Sequence, residues 1–212
     1  MDLLVPGFDI THEVGVLSCH NHAPGKQHHT AVKWVFRYLR GASDCDILFN
    51  GKSSGEGPII YSDADWAGNP IDHKSISGYT TILSGAAISW SSKKQSTVAL
   101  SSTKAEYIAT AHATQEATWM QTFLSEIGHP LGKPIPLYMD NQSTIKLIQN
   151  PVAHDWTKHI DIKYHFIRDA QAQGIIKVEY CPTEHQVADV LTKPLSHEKH
   201  KQFTEQMGLT SA

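Results

Sequence analysis

Apolar and polar residues change rhythm along the chain. In HHTAVKWVFRYLRG (28–41), Val32, Val35, Phe36 and Leu39 recur at three- and four-residue intervals, the period of one helical face, and Gly41 marks the stop. GKSSGEGP (51–58) interrupts that pattern as a Gly/Ser-rich linker or hairpin turn. Short strand-like runs follow: PIIYS (58–62), then GYTTILSG (78–85) and AAISWSS (86–92), joined near Gly85 as a hairpin. A long helix is predicted over about 103–127, with Met120, Phe123, Leu124 and Ile127 on one face and Gly128 ending it. IPLYMD (135–140) reads as a strand running into the helix NQSTIKLIQN (141–150), which Pro151 stops. HIDIKYHFIRDAQAQG (159–174) is helical, with Ile160, Tyr164 and Ile167 on one side, and IIKVEY (175–180) is a fifth strand. EHQVADVLTK (184–193) reads as helical, and a last helix lies near 196–207.

Three strands followed by alternating helices and strands predict an α/β chain with a mixed sheet flanked by helices. At 212 residues it can bury a sizeable core. The net charge of −3 supplies no global field toward nucleic acid or membrane, so any contact with a polyanion must be local. Three cysteines, Cys19, Cys45 and Cys181, without close pairing suggest a reducing compartment. MDLLVPGFDI lacks the pattern of a signal peptide, and no run approaches the roughly 20 apolar residues of a membrane span. The expectation is a soluble intracellular protein, in cytoplasm or nucleus, with no membrane partner.

Four acids sit at or near the ends of these elements. Asp63 closes the first strand of this region and Asp140 the strand PLYMD, and open α/β sheets gather ligands at the carboxyl ends of their strands. Glu106 opens the long helix, and Asp189 lies inside HQVADVLTK. Carboxylates brought together raise one another's pKa unless a counter-charge intervenes, and hard divalent cations with oxygen ligands supply one. Two such ions activate an attacking water and stabilise the leaving oxygen in phosphodiester cleavage. Each acid also has a purely local reading. Asp63 or Asp65 suits a strand-end turn, Thr103 with Glu106 a capping box, Asp140 with Asn141 a helix cap, and Asp189 a solvated helix surface.

The words around these acids choose between the readings. YSDADWAGN (61–69), SGYTTILSGAAISWSSKKQSTVALSSTKAEYIA (77–109), YMDNQSTIKLIQNP (138–151), TKHIDIKYHFIRD (157–169) and HQVADVLTKPL (185–195) stand in the order of a known family. They resemble the ribonuclease H region of copia-type retrotransposon Pol polyproteins. DITHEVGVLS (9–18) and HAPGKQHHTAVKWVFRYLRG (22–41) resemble the end of the reverse transcriptase that precedes it. The resemblance implies a ribonuclease H-like fold: a five-stranded mixed sheet flanked by helices over 51–212, behind a short, mostly helical reverse transcriptase remnant over 1–50. It also implies an endonuclease that hydrolyses the RNA strand of RNA/DNA hybrids with two Mg²⁺ ions, Mn²⁺ substituting. The implied ligands are Asp63, Glu106, Asp140 and Asp189, with Asp65 second to Asp63 because both point to one face of the strand and the earlier is held by the sheet. Lys104 departs from the acid common before Ala105-Glu106-Tyr107. No Tyr-x-Asp-Asp strand is present, so the chain is not expected to polymerise DNA. The reading is that of a fragment or stand-alone remnant, whose partner beyond the hybrid would be the reverse transcriptase portion of the same polyprotein. The alternative is a catalytically silent hybrid-binding or domesticated interaction module.

Cleaving RNA alone requires reading its 2′-hydroxyl. Ser101, Ser102 and Thr103 at the start of the long helix, and Asn141 and Gln142 beside Asp140, are candidates, with capping and plain surface as the competing roles. Lys93, Lys94, Lys158, Lys163 and Arg168 suit phosphates or simply a solvated face. Cys19, His20, His22, His28 and His29 carry zinc-ligand chemistry but lack a second well-spaced pair, so a surface role is expected. His185, four residues before Asp189, suits proton transfer, with solvation the stronger reading.

Overall fold

The computed structural model describes residues 7–50, 57–69, 71–150 and 158–211, with side chains only from 165 in the last stretch. After a turn at Gly7–Asp9, helices α1 (Thr11–Ser18) and α2 (Lys26–Gly41) and a short strand β1 (Cys45–Ile47) precede the sheet. Then come β2 (Ile59–Asp65), β3 (Ile76–Leu83), β4 (Ala86–Lys94), α3 (Ser102–Glu126) and β5 (Ile135–Met139). Next are α4 (Gln142–Gln149), α5 (Lys158–Ala172) and β6 (Ile176–Tyr180). Two 3₁₀ turns, Thr183–His185 and Val187–Leu191, lead to α6 (His197–Gln206) and β7 (Leu209–Ser211).

The main sheet has the order β4-β3-β2-β5-β6, antiparallel among the first three strands and parallel thereafter. These are the five strands expected from the apolar runs. Ser84 and Gly85, both at positive φ, make the two-residue turn between β3 and β4, whose twist matches that of the flanking strands. Gly128, also at positive φ, follows the end of α3.

The sheet is covered on both faces. Ile60, Leu137, Met139, Ile176 and Val178 pack with α3 and α5 on one side. On the other, Ile59, Tyr61, Ile82 and Ala87 meet Phe8, Val187, Val190, Leu191, Phe203 and Met207. Strand alternation therefore places Asp63 on the face of Ile59 and Tyr61.

Several elements depart from the sequence-based expectations. In α3 the buried stripe is Ala105, Ala109, Ala113, Ala117 and Met120, while Phe123 and Ile127 are exposed. Small residues at four-residue intervals let this helix lie close on the sheet, and buried Thr110 and Thr114 donate to carbonyls one turn back. Helix α2 forms where expected, but Val32 and Phe36 are exposed. The segment 184–193 is not an α-helix. Gln186 accepts the Ala188 N–H, and the Asp189 and Thr192 amides turn back three residues, which closes tight turns between Pro182 and Pro194. Strands β1 and β7 pair antiparallel and were not anticipated, since three-residue strands carry no period to read. The 51–56 part of the linker and the stop at Pro151 lie outside the described residues, as do the side chains of Ile160 and Tyr164.

Candidate metal centre

Strand β2 delivers Asp63 to the carboxyl end of the sheet. Its side chain is 1% exposed. Asp65, two residues on, is only half-buried, and its carboxylate folds over Gly68. Trp66 donates to the Ala99 carbonyl at 2.9 Å, and Ala67 at positive φ turns the chain away.

Glu106, 4% exposed, comes from the second turn of α3. It belongs to no capping box: the N-cap is Ser101, whose hydroxyl oxygen accepts the Lys104 N–H at 3.2 Å. Asp140 follows β5 and is half-buried. The cap of α4 is Asn141, which accepts the Thr144 N–H at 3.0 Å, so Asp140 is left to accept the Thr183 hydroxyl at 2.7 Å. One oxygen from each of Asp63, Glu106 and Asp140 lies within 4.8 Å of the others.

Asp189 is held differently. It is 2% exposed, inside the Val187–Leu191 turn rather than on a solvated helix surface, and does not join that group of three. Between it and Asp63 stands Lys193, whose Nζ is 3.0 Å from Asp189 Oδ1 and 3.5 Å from Asp63 Oδ2. Thr192 donates to Asp63 Oδ2. Gly78 makes this packing possible: it pairs with Asp63 across β2 and β3, and a Cβ there would lie 2.6 Å from Thr192 Cγ2. Gln186, fully buried, donates to the Ser62 carbonyl at 3.1 Å and ties the turn to β2.

The electrostatics follow from burial. It pushes Asp63 above the ordinary carboxylate range against the pull of Lys193 and Thr192. Glu106 is raised well above its usual value, by burial first and then by Asp63 and Asp140. Burial and the Asp63 charge push Asp189 up to about 7. Burial works against the charge of Lys193, but Asp63 and Asp189 outweigh it and hold the ammonium above its ordinary range. A buried acid cluster with one lysine is therefore short of positive charge. Among the described residues, Glu106 Oε2 is buried without a hydrogen-bond donor. An oxygen-only donor set with an orphaned carboxylate oxygen fits a hard divalent cation.

The predicted substrate contacts share one edge. The Thr144 hydroxyl donates to the Thr103 carbonyl at 3.3 Å, which ties the start of α3 to the start of α4. Ser101 and Asn141 each use an oxygen for capping, which leaves their donor ends out of the cap, and Ser102 and Gln142 are exposed. Lys93 is exposed, Lys94 pairs with Asp72 at 2.8 Å, and Arg168 is half-buried; Lys158 and Lys163 have side chains outside the described residues. His185 is exposed near Thr183. Among the described residues, Cys19, His20, His22, His28 and His29 form no three-ligand group; His20 and His28 stack, and His28 Nδ1 accepts the Gly25 N–H. Sequence reasoning missed Gly78, Thr183, Gln186, Thr192 and Lys193. The last three stand in HQVADVLTKPL, but nothing local marks a lysine as an internal counter-ion.

No family model matches the chain. It is 44% identical over 206 residues to the retrovirus-related Pol polyprotein from transposon TNT 1-94 of Nicotiana tabacum, covering 96% of this chain and 15% of that protein. To the corresponding polyprotein from transposon RE1 of Arabidopsis thaliana it is 42% identical over 202 residues, covering 95% of this chain and 14% of that protein. The chain thus spans about one-seventh of the length of these relatives. Among solved structures, LC11-RNase H1 in complex with an RNA/DNA hybrid aligns with a TM-score of 0.48 at 20% identity, over 64% of this chain and 94% of that one.

Proposed function

We propose that this chain, which belongs to the Pol polyproteins of copia-type retrotransposons and spans one segment of them, is a ribonuclease H that hydrolyses the RNA strand of RNA/DNA hybrids. In this reading residues 51–212 carry the nuclease and 1–50 the end of a reverse transcriptase. The observation that carries it is the meeting of Asp63, Glu106 and Asp140, from three separate elements, around a buried oxygen of Glu106 that has no donor.

Asp63, Glu106 and Asp140 would hold one divalent cation, Mg²⁺ or Mn²⁺, and Asp63 with Asp189 would hold a second. Bound there, such ions would supply neutralisation of the phosphodiester charge and a water that is nucleophilic near neutral pH. The protein's residues position and discriminate. Thr183 orients Asp140, Thr192 orients Asp63, and the turn locked by Gln186 fixes Asp189. Ser101, Ser102, Asn141 and Gln142 line the edge where the 2′-hydroxyl is read, with donors and acceptors that DNA leaves unused.

The test is cleavage of a labelled hybrid by the purified chain with Mg²⁺. The expected result is fragmentation of the RNA strand alone, reduced about a hundredfold or more by Asp140→Asn, as for loss of a group that stabilises transition-state charge. Salt-sensitive hybrid binding without turnover would mark a silent binding module instead. Equal cleavage by Asp140→Asn would refute the assigned site.

A further inference from the structure

We infer that Lys193 is a tethered cation at the place of a second metal ion, so that two ions bind in a fixed order. The first goes to Asp63, Glu106 and Asp140, and the second goes between Asp63 and Asp189 only as the ammonium swings out. This deepens the proposed function and rests on it.

Three observations carry the inference. Lys193 Nζ bridges Asp189 and Asp63, at 3.0 and 3.5 Å, while Asp63, Glu106 and Asp140 bring one oxygen each within 4.8 Å of the others. A like charge at that spot repels an incoming divalent ion, and in a buried setting the repulsion is strong. The two carboxylates are fixed and the lysine head is not. Asp63 and Asp189 are almost fully buried, and the latter sits in a turn pressed on Gly78 and held by Gln186. The Lys193 side chain is 31% exposed. The Lys193 N–H is bonded to the Asp189 carbonyl at 3.1 Å, so its backbone is anchored. The flexible four-carbon stem then lets the ammonium leave for solvent with no backbone change. In the metal-free protein the same ammonium compensates two buried acids that otherwise lack a cation.

Mn²⁺ titration of the purified chain without nucleic acid, followed by electron paramagnetic resonance, tests this. The wild-type chain should bind two ions, the second about tenfold or more weaker. Lys193→Met should tighten the second constant by about tenfold while moving the first less than about threefold, as removal of one competing charge predicts. Lys201→Met, a surface lysine paired with Glu205 at 3.9 Å, should match the wild type. Asp140→Asn should weaken the first ion. A second measurement needs no variant. Acetylation of Lys193, read by mass spectrometry, should be slow without metal, unchanged when only the first site is filled, and several-fold faster when both are. Equal second constants in wild type and Lys193→Met, or acetylation indifferent to Mn²⁺, overturns the inference and leaves the three-acid site standing. Failure of the wild-type chain to bind any ion, or binding untouched by Asp140→Asn, brings down both.

Discussion

Gly78→Ala is the sharpest perturbation of the site that touches none of its acids. A Cβ at Gly78 would lie 2.6 Å from Thr192 Cγ2, 2.9 Å from Leu191 Cβ and 3.3 Å from the Ala188 carbonyl oxygen. Carbon atoms in contact sit about 3.5–4.0 Å apart, so Thr192 must retreat by about 1 Å. Overpacking of this kind costs about 1–3 kcal/mol, while alanine's smaller entropy loss in a strand returns about 0.5–1 kcal/mol. The net loss is about 0.5–2 kcal/mol, which lowers Tm by a few degrees in a chain of this size, at about 2–4 °C per kcal/mol. The catalytic effect should be far larger than that. The retreating segment carries Thr192, Lys193 and Asp189, and a 1 Å displacement of a catalytic group can cost about a hundredfold in rate. Thermal melts and hybrid cleavage, run on Gly78→Ala beside Gly15→Ala, check this. Gly15 has nothing within 4 Å of an added Cβ, so its substitution in α1 should be neutral or stabilising by about 0.5–1 kcal/mol. If Gly78→Ala keeps both Tm and rate, the turn does not rest on that glycine and the argument fails.

Three further outcomes are expected. Asp189 has its folded pKa raised to about 7, so the folded state holds its proton more tightly than the unfolded chain does. Stability of the metal-free protein should therefore fall as pH rises from about 4 toward 7 and level off above, and Mg²⁺ should restore more at the upper end; melts in chelator and in Mg²⁺ at several pH values check the sign. Ser101→Ala should destabilise the chain by about 0.5–2 kcal/mol through loss of the α3 cap. Ser102→Ala, exposed and outside the cap, should leave urea unfolding unchanged and lessen the preference for RNA over DNA strands in cleavage assays.

Part of the molecule is legible in the order of its residues because local rules govern it. The strand-like runs at 58–62, 78–85 and 86–92 became strands β2, β3 and β4, with ends shifted by up to three residues, because strand-forming residues and the turn between them act through near neighbours. Gly85 and Gly128 sit at positive φ, where a side chain would be strained, and both ends were readable from one residue type. The words around Asp63, Glu106 and Asp140 likewise marked candidates before any geometry was known.

How those acids are held depends on contacts between segments remote in sequence. Thr103-x-x-Glu106 fits a capping box as well as a ligand position, yet the cap is Ser101, whose backbone is extended and whose hydroxyl oxygen accepts the Lys104 N–H. Val187, Val190 and Leu191 have helical spacing, yet the segment closes in tight turns because Gln186 is drawn to the Ser62 carbonyl, far away in sequence. Lys193 is one of many lysines until Asp63 and Asp189 flank it. A charge acquires its role from the distance to other charges and from the water removed between them, and neither quantity is written in the order of the residues.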